Sequence, residues 1–221
     1  MKFQAVLFDC DGVLADSEPI TNGVLREMLG ERGWVISQEE CMRLFVGKTL
    51  RDEVAQIEQR TGGKVTPGWL AEFAERRNAA LASRVMAIPN VVDAVRQLHA
   101  SYKGQIACAS GADRGKVELQ LRKVGLYECF EGRIFSGYET PRSKPYPDVY
   151  LAAAAALKVD AKRCAVVEDT VPGVTAGVAA NATVFAYSPP TTIHVSLRQL
   201  RDAGAHHHFV DMASLPQLLV A

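Results

Sequence analysis

Short apolar runs alternate with helical patterns along most of the chain, and this alternation constrains the fold more than any other feature. The runs are typical of buried strands, and segments with the 3.6-residue period of helices separate them. The strand-like runs are Phe3–Phe8, 105–109, 133–135, 164–167 and 183–186. Strands alternating with helices predict an α/β fold, in which a doubly wound, mostly parallel sheet is covered on both faces.

The segment after the first strand has a different pattern. It carries helical periodicity, few β-rich runs and glycine-rich turn signals. Its helical stretches are Ile20–Leu29, Glu39–Phe45, Leu50–Arg60 and Trp69–Val85. We therefore predict a core domain made of residues 1–16 and 87–221, with a small all-helical domain, residues 17–86, inserted after the first strand.

The composition is that of an ordinary globular protein with balanced charge. Of the 221 residues, 48% are hydrophobic and 23% are charged, which argues against a disordered or fibrous chain. Lys and Arg total 25, and Asp and Glu also total 25. Because no excess of basic charge is available for a nucleic-acid backbone or an anionic membrane surface, we expect neither as a partner.

Cysteine usage and the start of the chain favour a cytoplasmic protein. The five cysteines are odd in number and show no CxxC spacing, as is typical of reduced thiols. The apolar run at Phe3–Phe8 is too short for a signal peptide. The charge-free stretch 170–197 is interrupted by Asn181, Pro189 and Pro190, so it favours a buried helix and strand over a membrane span. No long amphipathic seam calls for assembly, and we expect a monomer.

Four sets of polar residues lie where the alternation places strand ends or nearby loops. The sets are Asp9-Cys10-Asp11-Gly12 after the first strand, Ser110-Gly111 after the second, Lys144-Pro145 in a later loop and Glu168-Asp169 after the fourth. In parallel α/β sheets, ligands bind beyond the carboxyl ends of the strands. We therefore expect all four sets to lie along one edge of the sheet.

The residue types in these sets suit a phosphoryl group and a divalent cation. Asp9 and Asp11 are two residues apart, so on a strand both side chains would point the same way. Crowded carboxylates repel each other unless a cation lies among them, and Mg²⁺ prefers oxygen ligands. Lys144 and Ser110 supply donors for phosphoryl oxygens. One carboxylate would form an aspartyl-phosphate, and the second, two residues on, would transfer protons.

The same residues resemble, in order, the motifs of a known family. The motifs are Phe8-Asp9-Cys10-Asp11-Gly12-Val13-Leu14-Ala15-Asp16-Ser17-Glu18, Ala109-Ser110-Gly111, Ser143-Lys144-Pro145-Tyr146-Pro147-Asp148 and Val166-Val167-Glu168-Asp169-Thr170. They are similar to those of the haloacid dehalogenase (HAD) superfamily, and more closely to the subgroup containing β-phosphoglucomutases and small sugar-phosphate phosphatases. The resemblance spans essentially the whole chain and implies a Rossmann-like core with a helical cap.

The resemblance implies a role for each motif residue. Asp9 would be the nucleophile and a Mg²⁺ ligand, and Asp11 would be the general acid and base and would bind the metal through its backbone carbonyl. Asp169 would bind the metal directly, with Glu168 beside it as a further ligand. The groups that hold the phosphoryl oxygens would be Ser110, Gly111 and Lys144. The implied activity is that of a Mg²⁺-dependent phosphatase acting on a small phosphorylated metabolite, a sugar or sugar-acid phosphate.

In this family the inserted helices form a mobile cap that closes over the site and selects the substrate. Lys48 and Thr49 lie in a Gly-x-[Ser/Thr] stretch, where the family contacts its substrate from the first cap loop. Arg77, or its neighbour Arg76, could reach a second anionic group from near the end of the cap. The competing interpretation is that these charges simply face water, as charges on helices usually do.

Three other functions stay open. In β-phosphoglucomutases a His follows the Asp-[Ser/Thr]-x-Glu-type segment, in the first cap helix. This chain reads Ile20-Thr21 at that place, a difference that favours hydrolysis over mutase activity. A signalling receiver domain also combines paired acids, a hydroxyl and a lysine, but it needs no helical insertion. The third alternative is a binding protein without turnover.

One cluster of histidines resembles a metal site. His206-His207-His208 is a run without further ligands at suitable spacing, so a zinc site is not expected. We interpret it as an exposed loop before a final strand at Phe209-Val210.

Overall fold

The computed structural model describes residues 2–192 and 195–220. The strands of this part of the chain are β1 (Ala5–Phe8), β2 (Ile106–Ser110), β3 (Ile134–Ser136), β4 (Cys164–Glu168), β5 (Thr183–Tyr187) and β6 (His207–Phe209). All pair in parallel in one sheet with the order β3-β2-β1-β4-β5-β6. The predicted doubly wound parallel sheet is therefore confirmed, with β1 near its centre between β2 and β4.

Helices follow the strands as the alternation predicts. They are α1 (Glu18–Gly30), α2 (Gln38–Phe45), α3 (Val54–Thr61), α4 (Pro67–Arg84), α5 (Val91–Ser101), α6 (Arg114–Lys123), α7 (Tyr127–Phe130), α8 (Asp148–Ala156), α9 (Val171–Ala179), α10 (Leu197–Asp202) and α11 (Leu215–Val220). Short 3₁₀ turns occupy Ala161–Arg163 and Met212–Ser214. The short helices α7, α10 and α11 have no counterpart in the sequence prediction.

Both faces of the sheet are buried, which explains why the strands are apolar throughout. In β1, Val6 and Phe8 point to one face and Ala5 and Leu7 to the other, because successive side chains of a strand alternate. The first face is covered by α5, α6, α7 and α11, and the second by α8, α9 and α10. The two hydrophobic cores hold the polar strand ends in register at one edge.

The helices α1–α4, residues 18–84, form a helical insertion between β1 and α5. It has a hydrophobic cluster of its own, which includes Trp34, Phe45, Ile57 and Trp69. The insertion packs on the rest of the chain chiefly through α4, which lies against α6. A small apolar contact that includes Leu81 joins the two parts. The predicted domain boundaries at residues 17 and 86 stay a prediction.

Two predicted segments outside the site differ clearly from the structure. The predicted helix Leu50–Arg60 begins only at Val54, because the hydroxyl of Thr49 donates to the carboxylate of Asp52 and the preceding residues form a turn. The predicted histidine loop is partly a strand, since His207 and His208 belong to β6. β6 is an edge strand whose histidines are exposed, so it lacks the apolar run that marks the central strands.

None of the helices within residues 2–192 and 195–220 is both long and apolar enough to cross a lipid bilayer. All five cysteines are free thiols; Cys129 is half-buried and the others are buried.

The close packing of α9 on the sheet predicts opposite effects of two glycine substitutions. A Cβ at Gly177 would lie 2.8 Å from Cγ2 of Val184 and 3.2 Å from Cγ1 of Val166. We expect Gly177→Ala to lower the free energy of unfolding by about 1–3 kcal/mol, since Val184 and Val166 already occupy the space that the methyl group needs. Gly23→Ala, in α1 with no atom within 4 Å of its Cβ, should raise it by up to about 1 kcal/mol. Urea unfolding measures both, and a stabilising Gly177→Ala would contradict the packing.

Candidate active site

The polar strand ends surround the point where the order of the sheet reverses. Chain connections run outward in opposite directions from β1, so a crevice opens beyond the carboxyl ends of β1 and β4. A cavity of about 380 Å³ lies there, between the sheet edge and the helical insertion. Asp9, Asp11, Ser110 and Lys144 all line it, so the structure brings together residues from separate stretches of the chain.

A buried lysine joins two of these stretches. The Nζ atom of Lys144 lies 2.8 Å from Oδ1 of Asp9 and 2.7 Å from Oε1 of Glu168. The hydroxyl of Tyr150 also donates to Oε1 of Glu168, over 2.9 Å. Burial opposes the ammonium form, but Asp9 and Glu168 raise the pKa of Lys144 well above its ordinary value. The lysine is therefore a fixed positive charge at the floor of the crevice.

Glu168 holds the turn that follows β4. Its Oε2 atom accepts hydrogen bonds from the backbone N–H of Asp169 (2.9 Å), and from both the N–H and the hydroxyl of Thr170 (3.1 Å each). Thr170 in turn caps α9 by accepting from the N–H of Gly173. A Cβ at Gly173 would overlap the Glu168 carboxylate. Both oxygens of the fully buried Glu168 accept hydrogen bonds, so this residue fixes the position of its neighbours.

Three buried carboxylates lie close enough together to bind one cation. One oxygen each from Asp9, Glu168 and Asp169 lies within 4.8 Å of the others. Burial raises the pKa of Asp9 to about 7 despite the neighbouring Lys144, and burial together with Glu168 and Asp9 raises that of Asp169 well above its usual range. A divalent cation would remove this repulsion, and an all-oxygen donor set suits Mg²⁺.

The glycine after Asp11 is required by the approach of two chain segments. Gly12 has a φ of +74°, which favours glycine. A Cβ at Gly12 would also overlap the carboxylate of Asp169. Only a residue without a side chain lets the loop after β1 lie directly against the loop after β4.

Asp11 faces away from the carboxylate cluster. Its Oδ1 atom lies 2.8 Å from Nζ of Lys116 and accepts hydrogen bonds from Gln120 (2.9 Å) and from the hydroxyl of Ser17. Burial would raise the pKa of Asp11, but Lys116, Ser17 and Gln120 together lower it to about 2. The prediction that Asp9 and Asp11 both lie on a strand is wrong, since β1 ends at Phe8 and the loop beyond it gives the two side chains different partners.

The predicted phosphate-binding residues lie on the other side of the crevice, at the end of β2. Ser110 is buried, and its hydroxyl accepts from the N–H of Ala112 over 3.1 Å. Gly111 lines the cavity beside it. Asp113, which the sequence analysis does not single out as a site residue, caps α6 by accepting from the N–H of Lys116. This turn directs small polar groups towards the cavity, next to Lys144.

Helix α1 lines the opposite wall with a polar row. Glu18, Thr21 and Asn22 are spaced three and four residues apart, so they share one face of the helix, and all three line the cavity. Burial and the nearby Asp11 raise the pKa of Glu18 to about 8. The Thr21 hydroxyl is buried and finds no hydrogen-bond partner among residues 2–192 and 195–220. Apolar side chains such as Phe73 complete this wall.

Of the residues of the insertion that the sequence analysis considers for substrate binding, some line the cavity and one does not. Lys48, Thr49 and Arg77 line the cavity. Arg77 is buried and lies 2.9 Å from Oδ2 of Asp113, a contact that joins α4 to the start of α6. Arg76 instead pairs with glutamates of the insertion, Glu31 and Glu72, and does not line the cavity.

Several site residues escaped the sequence analysis. Lys116 and Gln120 are one turn apart on α6, just after the Ser110 strand end, and this i, i+4 spacing is a signal that could have placed them beside Asp11. Tyr150 had no such signal, because its hydroxyl reaches Glu168 from an alanine-rich helix that otherwise only packs on the sheet.

Family comparison agrees with this geometry. The model of the haloacid dehalogenase-like hydrolases matches residues 3–181, most of the chain. The protein belongs to this family of hydrolases.

Individual relatives include two phosphatases and a hydrolase of known structure. A 6-phosphogluconate phosphatase of Escherichia coli is 29% identical over 184 residues, which cover 83% of this chain and 82% of the relative. Hexitol phosphatase B of Escherichia coli is 31% identical, with 80% and 79% covered. A crystal structure of a HAD family hydrolase from Deinococcus radiodurans, with bound phosphate and sodium, is 34% identical with a TM-score of 0.78, covering 99% of this chain and 96% of that one.

The raised pKa of Asp9 predicts how the stability of the metal-free protein changes with pH. The pKa is about 7 in the folded state against an ordinary value of 3.8, so the folded state binds this proton more tightly than the unfolded state. The free energy of unfolding should therefore fall as the pH rises from about 4 to about 7. Asp9→Asn, which cannot ionise, should show a smaller fall.

Urea unfolding in the presence of EDTA, at several pH values in this window, measures the difference. Asp16→Asn, an exposed aspartate in the same loop, is the matched control and should follow the wild type. Identical pH dependence of the wild type and Asp9→Asn would contradict the assignment.

Proposed function

We propose that the protein is a Mg²⁺-dependent phosphatase that hydrolyses a small phosphorylated metabolite, a sugar or sugar-acid phosphate, through an aspartyl-phosphate on Asp9. The observation that carries the proposal is the meeting of Asp9, Ser110 and Lys144 around one cavity at the reversal point of the sheet, with the buried carboxylate of Asp169 beside Asp9. The relatives support the substrate class, since one is named for 6-phosphogluconate and the other for hexitols.

In the first step the carboxylate of Asp9 attacks the phosphorus atom. The new bond joins the Asp9 oxygen to phosphorus, and the bond from phosphorus to the ester oxygen of the substrate breaks. Lys144 and the N–H and hydroxyl groups at Ser110–Gly111 hold the phosphoryl oxygens as charge moves through them. The leaving oxygen takes a proton from Asp11. The pKa of Asp11 is about 2 in the substrate-free protein, so substrate binding must raise it for this step.

In the second step a water molecule hydrolyses the aspartyl-phosphate. Asp11 accepts a proton from the water as its oxygen attacks phosphorus, and the bond to Asp9 breaks. This role needs the ionised form of Asp11, which Lys116, Ser17 and Gln120 stabilise. Phosphate leaves, and Asp9 is again a free carboxylate.

The donor set fits Mg²⁺. The groups that would hold it are the carboxylates of Asp9 and Asp169, the backbone carbonyl of Asp11 and, as a neighbour, Glu168. A bound Mg²⁺ would neutralise carboxylate charge and polarise the phosphoryl oxygens. The support from this chain is the close approach of buried carboxylates whose protonation burial otherwise favours.

The helical insertion acts as a cap in this proposal, with boundaries at residues 17 and 86. Its α1 places Glu18, Thr21 and Asn22 opposite the nucleophile, where a polyhydroxylated substrate would need hydrogen-bond partners. The cavity of about 380 Å³ has the size of a small-metabolite site.

The alternative of a receiver domain finds no support. The sheet order of those domains is 2-1-3-4-5, whereas this sheet has the order β3-β2-β1-β4-β5-β6 and a four-helix insertion follows β1.

Removal of the nucleophile should abolish turnover. We expect Asp9→Asn to lower kcat for p-nitrophenyl phosphate by at least ~10³-fold, because no aspartyl-phosphate can form efficiently on an amide. The assay follows p-nitrophenol release with Mg²⁺, and EDTA should stop the wild-type reaction. Asp16→Asn should retain activity. An active Asp9→Asn, or full activity in EDTA, would refute the assignment of the nucleophile or of the metal.

The product formed from β-glucose 1-phosphate separates hydrolysis from mutase activity. Because the chain reads Ile20-Thr21 where the mutases carry His, we expect inorganic phosphate and glucose rather than glucose 6-phosphate. Phosphate release and a coupled glucose 6-phosphate assay measure the two outcomes on the same sample. Glucose 6-phosphate as the main product would make the protein a mutase.

A further inference from the structure

We propose that Arg51 binds a second anionic group of the substrate, so that the preferred substrate carries a carboxylate or further phosphate remote from the phosphoryl group that is transferred. This inference rests on the proposed function and narrows its substrate class. It assigns a specificity-determining role to a residue of the turn between α2 and α3, outside the motifs that the sequence analysis singled out.

The charges around the cavity indicate which residue can bind a second anionic group. Its positively charged lining residues are Lys48, Arg51, Arg77, Lys116 and Lys144. A substrate anion binds most favourably to a cation that does not already neutralise a carboxylate, because an ion pair must otherwise be broken first. The partner of each cation therefore shows which one is available.

Four of the five cations are already paired. Lys144 lies between Asp9 and Glu168, and Lys116 contacts Asp11. The remaining ion pairs are Arg77 with Asp113 at 2.9 Å and Lys48 with Glu53 at 3.2 Å. The first three of these cations are also buried, so they are held in place.

Arg51 differs from the others. Its guanidinium lies over the ring of Tyr138, 4.4 Å from the ring centroid, and no carboxylate of residues 2–192 and 195–220 forms an ion pair with it. The adjacent Asp52 is engaged by hydroxyl groups instead, accepting from Thr49 over 2.6 Å and from Ser143 over 3.4 Å. Stacking on an aromatic ring orients a guanidinium while its N–H donors stay available to an anion.

The position of Arg51 fits this role. It lines the main cavity together with Asp9 and Lys144, and it also lines a second hollow of about 520 Å³. Tyr138, on which it stacks, lines both as well. A substrate whose phosphoryl group lies at Asp9 can therefore extend through one continuous space towards Arg51.

Two six-carbon compounds test this directly, since they differ at the far end alone. 6-Phosphogluconate carries a carboxylate at C1, and D-glucitol 6-phosphate carries a hydroxymethyl group there. The experiment measures equilibrium affinity by calorimetry with Mg²⁺ in the Asp9→Asn background, so that it does not depend on turnover. The same protein with Arg51→Met keeps a long side chain over Tyr138 but loses the charge.

We expect the Asp9→Asn protein to bind 6-phosphogluconate more tightly than D-glucitol 6-phosphate. Adding Arg51→Met should weaken the binding of 6-phosphogluconate roughly 10- to 100-fold. The affinity for D-glucitol 6-phosphate should change less than about twofold, and Arg51→Lys should restore part of the loss. Arg76→Met, outside the cavity, and Arg142→Met, which stacks on Tyr146 in the second hollow alone, are the controls and should leave both affinities unchanged.

Equal affinity for the two compounds, or an equal loss for both with Arg51→Met, would overturn the role of Arg51. A selective loss with Arg142→Met would move the anion to the second hollow and would overturn it as well. If the wild type shows no turnover although the selective binding is found, the proposed function fails and the Arg51 inference stands.

Discussion

The contact on which the site depends is the buried ammonium of Lys144 between Asp9 and Glu168. Without it, two carboxylates would be buried with no positive charge beside them, a situation that proteins avoid because desolvation of a charge is costly. The same lysine joins the loop after β3 to the ends of β1 and β4. It therefore brings together chain segments that are far apart in sequence and gives the crevice a permanent positive charge.

Around this lysine the acidic residues have separate tasks, set by their surroundings. Glu168 accepts hydrogen bonds on both oxygens and fixes the turn to α9. Asp9 lines the crevice and Asp169 is buried beside it, and both have raised pKa values. Asp11 lies beside Lys116, which lowers its pKa. In the metal-free protein the two aspartates of this loop therefore differ in pKa, about 7 for Asp9 and about 2 for Asp11, because their surroundings differ.

Much of the fold could be predicted because buried parallel strands leave a plain signal. The apolar runs ending at Phe8 and Val167 mark both the strands and the polar residues that follow them. The signal fails where burial does not dictate the residue type. His207 and His208 form an edge strand with exposed side chains, and α10 and α11 are too short to show a periodic pattern.

The candidate site was predictable in its motifs and unpredictable in its supporting contacts. Residues directly after strands meet because the topology requires it, whereas the hydrogen bond from Tyr150 to Glu168 depends on how α8 packs. The loop positions of the insertion are similar in this respect. Lys48 and Arg51 lie three residues apart, yet one is paired with Glu53 and the other stacks on Tyr138. Such differences depend on tertiary packing and cannot be read from spacing.

Helix α6 links the insertion to the carboxylate of Asp11. Its N-terminal cap, Asp113, holds Arg77 of α4, while Lys116 and Gln120 on the same helix hold the carboxylate of Asp11. The helix is ten residues long and packs on the sheet through Val117 and Leu121. A displacement of α4 would thus act through α6 on the surroundings of Asp11, so that the width of the cavity and the charge of this carboxylate are mechanically coupled.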